Sequence, residues 1–320
     1  MLRECDNGAR KSTPNRKFKA GQSTTIFPQQ LESLMEPVMS VAFPDYLSIP
    51  PDKLGEGTTV RVTICGDMQD VAQHMALAIY DEILHAQQEN RQATLILPVG
   101  PVDQYPVLAE MINTNRLNCQ EVMLINMDEY LTPEDQWVEC DHPLSFRGFM
   151  NRKFYDLVNP ELAPLPENRV VPNPQSPTAI QQLIEERNGV DACFGGIGIN
   201  GHIAFNEPPE ADEHFSVEEF AALPTRVLNL TRETKTINSV TVGGEMSIIP
   251  HRAVTVGMRE ILAAKRLRFY CNRIWQSSVV RKVLHGPVSA SCPASLLRTH
   301  DDATLTVTDY VAELPDIRLR

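Results

Sequence analysis

Between Gly195 and Pro209 the chain reads GGIGINGHIAFNEPP, a short stretch that gathers an amide (Asn200), an imidazole (His202) and a carboxylate (Glu207). Its glycines take the spacing Gly196-x-Gly198-x-x-Gly201, directly after the apolar residues 190–194. Two chemistries compete for such a loop. In a dinucleotide-binding turn the third glycine opens a helix whose N-terminus holds the pyrophosphate. Here Pro208-Pro209 follows closely on Gly201 and leaves little room for that helix, so the nucleotide reading is set aside. The plain alternative is a tight turn in which the glycines only relieve crowding. What lifts the loop above that is its cargo. A lone histidine is more often packed or solvated than catalytic, but one set among glycines and followed by a carboxylate is suited to proton transfer near neutral pH. A second acidic pair, Asp128-Glu129, closes the stretch EVMLINMDEY at residues 121–130. Taken by itself that pair reads as a helix cap or a solvated loop acid.

The elements that must hold these side chains alternate along the chain. TVRVTIC (59–65) has strand periodicity, and Val71, Met75, Ile79 and Ile83 then form the i, i+4 stripe of a helix. ATLILPVG (93–100) is a near-continuous apolar strand of the kind buried in a parallel sheet, followed by a helix over 106–113. Further strands are expected at 121–130, 190–198, 252–258 and 267–272, and SSVVRKVLHG is a helix ended by Gly286 and Pro287. The pattern predicts an α/β fold, a single Rossmann-like domain with a mostly parallel sheet and helices on both faces. Ligands of such sheets gather at the carboxyl ends of strands, so loops 98–106, 126–132 and 198–209 should face one site. Residues 1–55 read as a partly irregular N-terminal extension, and 56–320 as one domain.

Composition narrows the partners. The chain has 320 residues and a formal net charge of −12, which disfavours a broad electrostatic hold on nucleic acid or anionic lipid. A small molecule is the expected ligand, with no nucleic acid and no membrane. Seven scattered cysteines without a C-x-x-C pair read as reduced thiols, and no stretch has the length of a membrane span, so a cytoplasmic location is expected.

Taken together, GGIGINGHIAFNEPP, INMDEY (125–130), DHPLSFRGFMNRKFYD (141–156), AVTVGMREILAAK (253–265) and PASLLRTH (293–300) resemble, in this order, the motifs of the glucosamine-6-phosphate deaminase/isomerase family. The family's form of the loop is G-G-[IV]-G-x-D-G-H-I-A-F-N-E-P, and the resemblance runs over residues 60–300. The 6-phosphogluconolactonases share the Gly-x-Gly and Gly-His part but lack Phe205-Asn206-Glu207, and are the weaker match. The resemblance implies ring opening of an amino-sugar phosphate, proton transfer between C2 and C1, and release of ammonia. It makes Asp128 the carboxylate that moves the proton and His202 the acid/base for ring opening, supported by Glu207 and flanked by Asn200. Substrate-lining positions are Val99, Gly100, Pro101, Val102, Glu129, Gly198, Gly201, Arg226 and Trp275. A base that serves both C2 and C1 suits a short carboxylate at a strand end, and neither a metal nor another cofactor is called for. Assembly of identical copies is a further expectation.

Four positions depart from the family. Asn200 stands where the family has Asp; the amide keeps an acceptor but loses a charge, which at about 4 Å and an effective dielectric near 20 is worth roughly 4 kcal/mol, and the histidine tautomer is no longer fixed. The phosphate loop, [ST]-G-G-[ST]-P in the family, reads here Pro98-Val99-Gly100-Pro101-Val102-Asp103, losing its hydroxyls and one N–H donor. Val240 replaces the Arg of Asn-Ser-Arg, and Trp275 stands where a Lys is expected. Three changes on one subsite point to a rebuilt specificity. Arg232, Lys235 or Arg273 could supply another anion contact, or Trp275 a wall for an unphosphorylated sugar. The acidic segment 210–224 reads as a solvated helix, or as a lid. Two rival functions follow: a sugar-binding protein with little turnover, and a lactonase-like hydrolase.

Overall fold

The computed structural model describes residues 42–101 and 103–316. Residues 1–41, which make up most of the expected extension, and Val102 lie outside the described residues, as do 317–320.

Among the described residues ten strands follow in order: β1 (Arg61–Cys65), β2 (Thr94–Leu97), β3 (Met123–Asn126), β4 (Asp128–Leu131), β5 (Arg169–Val170), β6 (Ala192–Gly196), β7 (Arg226–Asn229), β8 (Arg252–Thr255), β9 (Leu267–Cys271) and β10 (Ala303–Thr308). Between them lie α1 (Met68–Gln88), α2 (Gln104–Asn115), α3 (Phe146–Lys153), α4 (Ala179–Glu186), α5 (Val217–Ala221), α6 (Arg232–Ser239), α7 (Met258–Leu262), α8 (Ser277–His285) and, last, α9 (Asp309–Ala312). Seven strands form a parallel sheet in the order β1-β10-β9-β6-β2-β3-β5. Strand alternation divides its side chains between two cores. Ile96, Ile125, Cys193 and Phe269 face α7 and α8, while Leu95, Leu124, Phe194 and Tyr270 face α1 and α2. The α1 stripe is buried as its spacing predicts, with Asp67 capping the helix by accepting from Gln69 N and Asp70 N. Each of Met75, Ile79 and Ile83 contributes roughly 1.5–3 kcal/mol by leaving water.

Three strands stand apart in an antiparallel sheet, β4-β8-β7. The stretch 121–130 is therefore two strands in two sheets, where one was expected. The break falls at Met127, whose N–H donates to Leu97 of the large sheet (2.9 Å) and whose carbonyl accepts from Val256 beside the small one (2.7 Å). Residues 252–258, expected in the parallel sheet, likewise supply β8. β5, β7 and β10 carry no strong apolar run and were not foreseen.

The compact unit begins at Pro44, not at residue 56. The reason is polar anchoring: the buried Arg281 donates Nε to Ile49 O (2.9 Å), Gly55 N donates to His285 Nε2 (3.1 Å), and Leu54 enters the core. The chain enters the sheet at its edge strand β1, crosses to β2, and later returns through β6, β9 and β10. β2 and β6 are thus neighbours whose connections depart in opposite senses, and the crevice at their carboxyl ends is the topological switch point where ligands bind in such sheets.

Candidate active site

The loop after β6 is a closed turn. Gly201 N donates to Gly198 O and Gly198 N to His202 O, both at 3.0 Å, so Gly201 opens no helix and the next one, α5, starts only at Val217. The glycines serve the histidine. A Cβ on Gly198 would stand 2.0 Å from His202 Cε1, and one on Gly201, at φ +89°, would meet Cys292 Sγ at 2.7 Å. The imidazole lies in the space that a side chain at 198 would fill, while Gly201 holds a left-handed turn pressed against Cys292.

His202 Nδ1 faces Asn200 Oδ1 (2.8 Å), Thr234 Oγ1 (3.2 Å) and Glu207 Oε2 (3.3 Å). Asn200 also accepts from His202 N (3.2 Å) and donates Nδ2 to Glu207 Oε2 (2.8 Å), which orients its amide. Oδ1 and the carboxylate can only accept, so Nδ1 carries the hydrogen and the lone pair of the neutral ring sits on Nε2. The expectation of an unfixed tautomer is therefore corrected: the amide bridges imidazole and carboxylate and fixes it. Nε2 has no partner among the described residues. Burial works against the charge of Glu207, but His202, Asn200 and Thr234 outweigh it and hold the carboxyl at about 2. The negative charge lost at position 200 is supplied one residue further away.

Asp128 opens β4 opposite Thr255 of β8. The Thr255 hydroxyl accepts from Phe205 N (3.1 Å), and Asn206 Nδ2 donates to Val256 O (2.8 Å), so the loop carrying His202 is tied to the strand that pairs with Asp128. The Asp128 carboxylate is buried and has no hydrogen-bond partner among the described residues. Burial first and the neighbouring Glu129 second push its pKa well above the ordinary value. Such a group is a stronger base than a solvated carboxylate.

Glu129, expected to line the substrate, does not. It is fully buried and points to the start of α3, accepting from Tyr130 N (2.9 Å), Phe146 N (3.0 Å), Arg147 N (2.8 Å) and Ser145 Oγ (3.1 Å). Neighbours in a strand face opposite sides, so one acid of the pair is free and the other is consumed as a helix anchor. Arg226, on β7 across from Thr255, donates to Asn206 Oδ1 (2.7 Å) and braces the same loop.

The loop after β2 reaches this crevice: a Cβ on Gly196 would lie 3.4 Å from Gly100 O. Val99 is half-buried, Gly100 exposed and Pro101 buried after a cis peptide bond. Trp275 is half-buried in the turn Ile274–Gln276, where Gln276 donates Nε2 to Ile197 O (2.8 Å) at the end of β6. Of the substitute cations, Arg232 and Arg273 are exposed and Lys235 donates to His251 Nδ1 (2.9 Å). Val240 is 68% exposed. Segment 210–224 contains only the short α5, boxed by Ser216 and Glu219 and anchored by the buried Phe220. Sequence reasoning missed Thr234 and Thr255. Thr234 is the third residue of α6, three beyond its cap Thr231, and the T-x-x-T spacing was the only signal available.

Among the described residues no cluster of His, Cys, Asp and Glu has metal-binding geometry, and no helix is long and apolar enough to cross a membrane. No protein-family profile matches the chain. It is 30% identical over 261 residues to the glucosamine-6-phosphate deaminase of Halothermothrix orenii, covering 80% of this chain and 100% of that protein. The enzyme of the same name from Hahella chejuensis is 30% identical over 263 residues, with 80% and 92% covered. Among solved structures, a monomeric glucosamine-6-phosphate deaminase superposes with a TM-score of 0.68 at 26% identity, over 80% of this chain and 100% of the other. A 6-phosphogluconolactonase from Trypanosoma cruzi reaches 0.55 at 16% identity, over 79% and 96%, a likeness of fold alone.

Proposed function

The chain belongs to the glucosamine-6-phosphate deaminase family, and from that premise we propose that it isomerises and deaminates an amino sugar by acid/base proton transfer. His202 Nε2 takes the proton of the C1 hydroxyl and hands it to the ring oxygen as the C1–O5 bond breaks, which leaves an open-chain C1 aldehyde. Asp128 takes the C2 proton, the electron pair forms the C1–C2 double bond of an enolamine while the C1 oxygen takes a proton from solvent, and the same carboxyl returns the proton to C1 to leave a C2 iminium. That iminium adds water and releases ammonia. One observation carries this reading: a buried carboxylate of raised pKa, without hydrogen-bond partners among the described residues, stands on the strand paired with the one that anchors the loop of a histidine with an open Nε2. A positioned base of this kind supplies roughly 10²–10⁴ in rate.

The sugar is gripped differently at its far end from what the family loop provides. Val99 offers no hydroxyl and Pro101 no N–H, so a 6-phosphate loses its usual nest and an unphosphorylated or otherwise altered amino sugar fits the geometry better. The binding-only reading rested on Asn200 and on the missing phosphate loop. The bridge that this amide makes between His202 and Glu207 supports the enzyme instead.

The test is ammonia release from purified protein offered glucosamine 6-phosphate, glucosamine, and a panel of free and phosphorylated amino sugars. Release from an unphosphorylated or altered sugar in preference to glucosamine 6-phosphate is the expected result. Preference for glucosamine 6-phosphate at an ordinary enzymatic rate overturns the rebuilt subsite, and release from none overturns the activity.

A further inference from the structure

A cavity of about 200 Å³ opens between α3 and the edge of the parallel sheet, lined by Asn126, Arg147, Asn151, Tyr155 and Arg169 with Cys140, Met150 and Val171. None of Asp128, Asn200, His202 or Glu207 lines it, and neither does any carboxylate. In a chain of net charge −12, a pocket that presents two guanidinium groups and no acid is set against the general field.

Its polar groups are donors left over from folding. Tyr155 is 6% exposed and its hydroxyl has no hydrogen-bond partner among the described residues; Asn126 is 4% exposed and its Nδ2 has none among them either. Unpaired buried donors cost roughly 1–3 kcal/mol each, and both of these belong to residues that line the one cavity, where an acceptor would satisfy them. Burial keeps Tyr155 protonated by pushing its pKa up, so its O–H stays available to donate. Arg169 makes no ion pair among the described residues: its Nε donates to Pro164 O (2.8 Å) and its guanidinium carbon sits 4.5 Å from the centre of the Tyr155 ring. Both terminal nitrogens are uncommitted. Arg147 is held rigidly, stacked on Trp137 at 4.6 Å, with Nη2 donating to Val138 O (2.5 Å) and Nε to Glu129 Oε2 (3.4 Å), which leaves Nη1 for the cavity.

We propose that this cavity is an anion site for inorganic phosphate or the head of a small phosphomonoester, held by Arg147 and Arg169 with the Tyr155 hydroxyl and the Asn126 amide. Planar guanidinium forks match tetrahedral oxyanions, and neutral donors complete the cage. Its volume lies below the roughly 300–1,000 Å³ of ordinary metabolite pockets, which excludes a nucleotide. The site lies apart from the Asp128–His202 chemistry but touches it through Arg147, whose backbone and side chain both donate to Glu129, next to Asp128.

Calorimetric titration of the full chain with inorganic phosphate tests this, with Arg169→Met, which keeps the alkyl stem over Tyr155, and Tyr155→Phe, which removes only the hydroxyl. Affinity should fall at least about tenfold in Arg169→Met and several-fold in Tyr155→Phe, while Asp128→Asn leaves it unchanged. Glycerol 3-phosphate separates the two sources: tighter binding than phosphate assigns the cavity to an ester, weaker binding to the free anion, and Arg169→Met weakens either one. Should Arg169→Met fail to fold, Tyr155→Phe decides. Absence of phosphate binding, wild-type affinity in the folded variants, or tighter binding in Asp128→Asn, as expected of an anion seated among the catalytic acids, overturns the proposal.

Discussion

Asp128 carries its charge at a cost. Burial and Glu129 both disfavour the ionised form, and no donor among the described residues offsets them. Asp128→Asn should therefore lower turnover by at least about 10²-fold and at the same time raise the melting temperature near neutral pH, an exchange of stability for activity usual at catalytic groups. Steady-state kinetics and thermal unfolding check the two halves. At Asn200 the opposite change is informative. Asn200→Asp would set a carboxylate oxygen where the amide now donates to Glu207 at 2.8 Å. Two such acids cannot both stay ionised without help, so the variant should bind an additional proton as pH falls toward 5, seen as a pH-dependent difference in unfolding temperature that wild type lacks. His202 and Glu207 stand out in the sequence because their types suit proton chemistry, and Asp128 only through the family motif it resembles. The bridging role of Asn200 does not, since it depends on which way an amide is turned.

At the scale of elements, one acid of the Asp128-Glu129 pair serves the fold. Glu129 collects the N-terminus of α3, and Glu129→Gln would turn an NH₂ group toward at least one of those donors. The expected loss is roughly 2–3 kcal/mol of unfolding free energy in denaturant titration. A substrate ligand would instead change KM and leave stability alone. Sequence periodicity could not separate these roles, because it saw 121–130 as one strand. The switch from β3 to β4 at Met127 is written in long-range bonds to Leu97 and Val256, to which local pattern is blind. α1 was legible for the contrary reason: its stripe is local and its cap, Asp67, adjacent. The α2 start at Gln104 came earlier than expected because Pro106 falls in the first turn, where its missing N–H is not needed.

For the whole molecule, acid stability follows from Glu207. Its folded pKa, about 2, lies below the ordinary 4.5, so it contributes stability that is complete above about 4.5 and is lost as pH falls through about 2. The difference corresponds to roughly 3 kcal/mol at neutral pH. Glu207→Gln should be less stable than wild type at pH 7 by about that amount, and the two unfolding curves should converge near pH 2. Asp128, shifted the other way, opposes this in part as the pH falls. The parallel sheet, its two cores and its switch-point crevice were foreseeable from alternating strands and helices. The second sheet was not, since β7 is a polar strand without a run to announce it, and the start of the compact unit at Pro44 depends on Arg281 and His285 far along the chain.

The central claim is that Asp128 moves a proton between C2 and C1 of an amino sugar. Its most direct test is NMR of the product formed in H₂O from the C2-deuterated form of the sugar that releases ammonia. The account predicts deuterium carried over to C1 of the product with wild-type protein, and neither deuterium at C1 nor ketose product with folded Asp128→Asn. Deuterium transfer to C1 by Asp128→Asn at the wild-type rate would contradict it.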